Sequence, residues 1–251
     1  MSLEGNRSEK RPFHSKIWMY WHQGFDYAPE LIQVCVTSWR RKNPEHEIIL
    51  LDKDTLDDFV SISPALKRKA SRFSLAAWSD MVRINLLATH GGIWIDTTVL
   101  CTQPLHLWFD PLGVQDFFAF ANPGPDRMLS SWFLAADHDS IIVKRWQEAV
   151  HDYWGGWKWR RPYYWFHYIF GDLYAKYPDF KESWDQVPKV SSDVPHYLTP
   201  FRERFFEQAT STRIENLNEL NPPLLKLTHK CLTEGYPTGS MIDYVLHSYA
   251  E

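Results

Sequence analysis

The residues best suited to chemistry lie in two short runs, Ser79-Asp80-x-x-Arg83 and, soon after, Gly91-Gly92-Ile93-Trp94-Ile95-Asp96-Thr97-Thr98. Asp80 and Arg83 are three apart, so a helix carries them on one face. Asp96 interrupts an apolar run, where a free carboxylate is expensive to bury and calls for a partner. Two carboxylates and a guanidinium therefore converge on one place, a set of charges of the kind that stabilises developing charge. Plainer accounts fit each part taken alone: Asp80 and Arg83 as an ordinary ion pair along a helix, and Asp96 as the cap of a turn.

Positioning these residues takes a helix followed by a strand. Residues 73–90 (ending SLAAWSDMVRINLLATH) predict the helix, stopped by Gly91-Gly92 at the C-cap position, and 93–100 (IWIDTTVL) predict a strand with Asp96 inside it. Upstream, the apolar run at 16–21 predicts a buried strand. A helix follows from Pro29 to the stop at Asn43-Pro44, with Leu31, Val34, Cys35, Ser38 and Trp39 at helical spacing, and 47–51 predict a second strand. Residues 52–60 read as a short acidic turn and helix. Such a β-α-β opening implies parallel strands and a ligand at their carboxyl ends. Downstream come predicted strands at 116–121 and 130–136 around a Pro/Gly loop at 122–126, and a helix at 140–153. A ring-rich stretch at 154–170 runs into another helix, and a loop-rich tail from Glu182, with six prolines, wraps the domain. The class is α/β: a loose N-terminal tail over 1–15 and a single domain over 16–251.

The composition narrows function further. With 27 Lys+Arg against 31 Asp+Glu, the net charge of -4 lacks the basic field that sequence-independent nucleic-acid binding needs. Cys35, Cys101 and Cys231 have no CxxC spacing, which supports neither a disulfide framework nor a zinc site and points to a reducing, cytoplasmic setting. No run of about 18 uncharged apolar residues predicts a membrane span, so any membrane association is peripheral. The 13 Trp, 12 Tyr and 15 Phe are rings that can pack a core, stack on a base or face sugars.

Taken together, AAxSDxxRxxLLxxxGGxWxDxT resembles the donor-binding core of retaining glycosyltransferases with a DXD-type motif. More narrowly, the chain resembles the capsular polysaccharide synthesis family, relatives of the family 32 glycosyltransferases. The opening KIWMYWHQGFDYAPELIQVCVTSW, the stretch SSWFLAA and the run YYWFHYIFGDLYAKYPDFKESWDQVP carry the same likeness. The resemblance implies a GT-A fold, a Rossmann-type nucleotide-binding sandwich with a mixed, mostly parallel central sheet flanked by helices. It also implies transfer of a hexosyl group from a nucleotide diphosphate sugar, expected to be a UDP-sugar, to a saccharide or glycoconjugate acceptor in capsular or surface polysaccharide synthesis. By that likeness Trp21 stacks on the base, and Asp80 and Arg83 hold the donor sugar and the leaving diphosphate. Ser79 and Trp94 line the same donor pocket, Lys230 clamps the diphosphate from a late loop, and Asp96 is the first carboxylate of the motif. A catalytically silent carbohydrate- or nucleotide-sugar-binding protein of a polysaccharide assembly complex is the alternative from another class.

One residue departs from the pattern: Thr98 stands where many relatives have the second Asp. A Mn²⁺ or Mg²⁺ ion held by Asp96 and the Thr98 hydroxyl is the cofactor the resemblance implies, with weak binding expected before nucleotide arrives. Retaining transfer needs no strong general base, and no pair of carboxylates with opposed protonation stands out as a glycosidase would require. Trp157 and Trp159, alternating with Lys158 and Arg160, are the expected acceptor surface, whereas 164–170 are expected to pack inside. His22, His138 and His167 are expected to be structural or surface residues.

Overall fold

The computed structural model describes residues 15–156, 162–198, 202–229 and 235–250. The β-α-β opening forms as β1 (Lys16–Tyr20), α1 (Glu30–Lys42) and β2 (Glu47–Leu51). The apolar positions of α1, Leu31, Val34, Cys35 and Trp39, are buried, while Arg40, Arg41 and Lys42 suit the negative end of its dipole. It stops at Asn43, ahead of Pro44. Of the helix expected over 52–60, only a 3-10 turn at Leu56–Asp58 forms. α2 (Pro64–Phe73) then leads to α3 (Leu75–His90), which begins two residues later than expected because Ser74 caps it, its hydroxyl accepting from the Ala77 amide at 3.0 Å.

The expected strand over 93–100 is instead two strands in different sheets. β3 (Gly92–Ile95) is wholly buried and ends at Asp96, where the chain turns as the Val99 amide donates to the Asp96 carbonyl at 2.9 Å. β4 (Val99–Cys101) then leaves the main sheet. Beyond α4 (Leu105–Trp108), β5 (Phe117–Gly124) and β6 (Arg127–Ala136) form a hairpin. Asn122 takes a left-handed φ of 54° inside β5, so the loop expected over 122–126 shrinks to a turn at Pro125 and Asp126. Three helices follow: α5 (Ile141–Gly155), α6 (Trp165–Lys176) and α7 (Pro178–Gln186). The tail is less loop-like than expected, holding α8 (Arg202–Phe206), α9 (Ser211–Leu220), β7 (Leu224–Lys226) and α10 (Met241–Ala250).

The central sheet has the order β2-β1-β3-β6-β5. β1 pairs parallel with β2 and β3, and β6 pairs antiparallel with β3 and β5, so β6 alone runs against the other four. β4 and β7 make a separate antiparallel pair with Val99 opposite Lys226. One buried cluster joins the central sheet to α3, α5, α6 and α7; another joins α1 to β4, β7 and α10. Trp165, Phe166, Ile169 and Phe170 are buried, so this part of the aromatic block packs inside as expected.

The Gly91-Gly92 pair sets where β3 begins. Both take positive φ, 65° and 100°, and the Trp18 indole of β1 donates to the Gly91 carbonyl at 2.8 Å. A Cβ on Gly92 would lie 2.7 Å from the Lys16 carbonyl oxygen and 2.8 Å from the Trp18 indole nitrogen. Only glycine lets α3 turn so tightly against β1. Gly92→Ala is therefore expected to destabilise the fold by about 2 kcal/mol or more, from strained φ and steric overlap together. An unchanged urea midpoint for that variant would refute this account of the turn.

Candidate active site

The ends of three elements meet where β3 stops. α3 contributes Ser79, Asp80 and Arg83; the turn after β3 contributes Asp96, Thr97 and Thr98; β6 contributes Ser131. Arg83 lies at the centre, only 5% exposed. Its Nη1 donates to Asp80 Oδ1 at 2.5 Å and to Ser131 Oγ at 2.7 Å. Its Nη2 donates to Asp96 Oδ1 at 2.9 Å and to Ser79 Oγ at 3.3 Å. The guanidinium carbon lies 5.1 Å from the Trp94 ring centroid and 5.7 Å from that of Phe166. One cation thus fixes two carboxylates from different elements and two hydroxyls through its Nη atoms, while its buried Nε has no partner among the described residues.

The Asp96 carboxylate is held at both ends. Oδ1 also accepts from the Trp94 indole at 3.0 Å, and Oδ2 faces Lys226 Nζ of β7 at 3.6 Å. Lys226 donates in addition to the Thr98 hydroxyl and to the Leu227 carbonyl, the latter at 3.2 Å. The expected Asp80, Arg83 and Asp96 are therefore brought together. Lys226 and Ser131 complete the group, though sequence reasoning named neither. A signal for Lys226 existed: it is a lone charge in the apolar run Leu224-Leu225-Lys226-Leu227, the same pattern that singled out Asp96. Ser131, one serine of a Ser130-Ser131 pair, carried none.

Other expected residues fall differently. Trp94 is 1% exposed, so it positions Asp96 through its indole and cannot present a face to a donor. Trp21 stands half-buried just past the carboxyl end of β1, edge-on to the His229 ring at 5.1 Å between centroids. It thus meets the same late segment that delivers Lys226. Trp157, Trp159 and Lys230 lie outside the described residues. His22 bonds the Tyr20 hydroxyl, and His138 sits between Asp137 and Asp139. His167 is half-buried; burial, with Arg83 and Arg127 adding to it, pushes its pKa down to about 3, so it stays neutral.

The two carboxylates are driven apart in pKa. Burial pushes Asp80 up, and the Asp96 charge adds to that against the pull of Arg83, giving about 7. For Asp96 burial also pushes upward, but Arg83, Lys226 and the Trp94 indole outweigh it and hold the carboxyl below its ordinary value. Burial lowers the Lys226 ammonium, opposed by Asp96.

As ligands for the expected divalent ion, Asp96 and Thr98 do not fit as they stand. Asp96 Oδ1 already accepts from two N–H donors, and both Oδ2 and the Thr98 hydroxyl face the Lys226 ammonium. Asp137, His138 and Asp139 form a group that could hold a metal. They follow Ala136, which pairs with Gly92 at the amino end of β3, away from Asp96.

A mostly parallel α/β sheet with its charged cluster at the carboxyl end of a central strand defines a GT-A-like sandwich. The apo-form glycosyltransferase GlyE of Streptococcus pneumoniae shares this fold, superposing with a TM-score of 0.53 over 94% of this chain and 60% of its own, at 13% identity. The chain belongs to the capsular polysaccharide synthesis protein family, whose profile matches residues 2–245. The O-glycosyltransferase braB of Annulohypoxylon truncatum is 27% identical over 159 residues, 56% of this chain and 38% of its own. The glycosyltransferase afumC of Aspergillus fumigatus is 27% identical over 162 residues, 56% of this chain and 40% of its own. The chain thus spans about two fifths of the length of these curated relatives. Among the described residues no helix is long and apolar enough to cross a membrane.

The raised pKa of Asp80 carries a linkage. The folded state binds its proton more tightly than the unfolded chain, so the stabilisation from this group is full below about pH 4 and lost as pH rises through about 7. The difference in unfolding free energy between wild type and Asp80→Asn should therefore fall as pH rises across that window. A difference that stays flat or rises would show that Asp80 titrates at or below its ordinary value.

Proposed function

We propose that this protein is a glycosyltransferase that moves a hexosyl group from a nucleotide diphosphate sugar, best matched by a UDP-sugar, to a saccharide or glycoconjugate hydroxyl with retention of configuration. The family description favours an acceptor in capsular or surface polysaccharide synthesis. The observation that carries the reading is the cluster of Asp80, Arg83, Asp96 and Lys226 at the carboxyl end of β3, where α/β sheets bind their ligands.

In this reading Asp80 and Asp96, held by Arg83, accept from donor-sugar hydroxyls, so the ring is fixed with its anomeric carbon toward the acceptor. Trp21, half-exposed past the end of β1, offers its ring to the base. The acceptor oxygen bonds to the anomeric carbon as the bond to the diphosphate oxygen breaks. The electron pair leaves with the diphosphate, and the acceptor proton passes to that departing oxygen. No side-chain base is needed; catalysis is positioning and charge stabilisation. Arg83 is a positioning residue, because its two Nη atoms are committed to four protein oxygens. The acceptor surface is assigned to Trp157 and Trp159, next to a stretch in which Tyr163 is 70% exposed.

Asp96→Asn keeps an oxygen for the Trp94 indole but loses the charge. UDP release from a UDP-sugar, followed with and without saccharide acceptors at a temperature where the variant is folded, should fall about 10²- to 10³-fold, and the melting temperature should fall as well because Arg83 loses a counter-charge. Turnover equal to wild type would remove Asp96 from the mechanism. A silent binding protein would instead be stabilised by UDP-sugars yet release no UDP under any condition.

A further inference from the structure

We propose that Lys226 takes the place of the divalent cation in this site, so that the nucleotide diphosphate is bound, and its departure assisted, by a tethered ammonium without a metal. This rests on the donor reading above and deepens it.

Three observations converge. The first concerns donor atoms. A divalent ion held by Asp96 and Thr98 would have to bond Asp96 Oδ2 and Thr98 Oγ1, at about 2.1 Å from each for a Mg²⁺-like ion. Those two atoms already share one cation: Lys226 Nζ donates to the Thr98 hydroxyl and lies 3.6 Å from Asp96 Oδ2. An ion seated on both would meet the ammonium at close range, a repulsion between charges of one and two. Thr98 is also neutral, so it attracts a divalent ion far less than a carboxylate would, while its hydroxyl is a good acceptor for an ammonium.

The second is the hold on Lys226. It sits in β7 opposite Val99, three residues after Asp96 in the antiparallel partner strand. Leu225 and Leu227 on either side of it are each 1% exposed. The backbone is therefore fixed by strand pairing and by the core, and the ammonium is delivered to the Asp96 turn by the fold itself. Its side chain keeps 19% exposure, enough to reach a ligand.

The third is charge and valence. With Asp96 ionised and Asp80 pushed up to about 7, the negative charge of the cluster is already matched or exceeded by Arg83 and Lys226 with no ion added. An ammonium has three N–H donors. Lys226 spends two, on Thr98 and on the Leu227 carbonyl, and its third N–H faces Asp96 Oδ2 across a long 3.6 Å contact. That long contact is the one an oxygen of the diphosphate can replace. The Nη atoms of Arg83 are fully committed, and its one remaining N–H, on Nε, is buried out of a ligand's reach.

The test is UDP and GDP binding to the full chain by calorimetry, in EDTA and in excess Mn²⁺, with Mn²⁺ binding followed separately by electron paramagnetic resonance. For the wild type the affinity for the better nucleotide should agree within about twofold between the two conditions. Lys226→Met, which keeps the length and packing of the side chain, should weaken binding in EDTA about tenfold or more, the loss of one charged hydrogen bond. The double variant Thr98→Asp with Lys226→Met, which supplies a second carboxylate and removes the ammonium, should bind Mn²⁺ by resonance and recover nucleotide affinity only when Mn²⁺ is present. Wild-type binding that vanishes in EDTA and returns with Mn²⁺ would overturn the lysine assignment while leaving the transferase reading intact. Absence of UDP and GDP binding in both conditions would overturn the donor reading itself, and the inference with it.

Discussion

A guanidinium shut away from water governs this structure. Arg83 is 5% exposed on a helix whose neighbouring positions, Val82, Ile84, Leu86 and Leu87, are fully buried. A charge in that setting is tolerable only with counter-charges and hydrogen bonds at good geometry. Arg83 finds one carboxylate on its own helix and must take the other from elsewhere. That demand brings the end of β3 to α3 and draws Ser131 of β6 into the same shell. β3 stops at Asp96 in keeping with this: the carboxylate that answers Arg83 is the first residue of the turn, and the strand beyond it pairs with a different partner.

From that turn the rest of the site follows. Because the chain leaves the central sheet at Asp96–Thr98, β4 is free to pair with β7, a strand from more than a hundred residues later in the sequence. The small second sheet is thus the device that returns a distant lysine to the carboxylate, and the buried face of α1 supports it through α1 contacts with β4 and α10. The electrostatic outcome is two carboxylates with separate tasks. Asp96, facing two cations, stays ionised, while Asp80, buried beside a like charge, sits near neutrality. Environments that push paired groups apart in this way are what assign them different roles.

Much of the frame was legible in the sequence because it rests on local signals. The strand at 16–21, the helix stopped by Asn43-Pro44 and the helix stopped by Gly91-Gly92 each carry apolar periodicity and a terminator, and each forms. Asp80, Arg83 and Asp96 were legible because a charge inside an apolar pattern has to be answered. The break after Asp96 was not: IWIDTTVL has strand character throughout, and what divides it is pairing with β7, a partner no local window contains. For the same reason the place of Lys226 beside Asp96 is not legible from the sequence around it. Lys226 reaches the turn through the register of β7 with Val99, which is a tertiary fact. The family likeness places Trp94 in the donor pocket; strand geometry turns its ring into the core, where the indole serves the carboxylate.

A tethered ammonium and a divalent ion are not equivalent answers to a departing diphosphate. The ion carries twice the charge and imposes near-octahedral order on whatever it binds, but it must be captured from solution and asks for carboxylates that would otherwise repel one another. The ammonium carries one charge and three donors on a flexible stem, and its local concentration is fixed by the fold. With Thr98 in place of a carboxylate the site has one fewer negative charge to hold, which is the same direction of change as replacing a double positive charge by a single one. The hydroxyl at 98 and the ammonium at 226 answer one another directly. A carboxylate at 98 with Lys226 kept, or loss of Lys226 with Thr98 kept, changes the charge around Asp96 and so the surroundings of its partner Arg83.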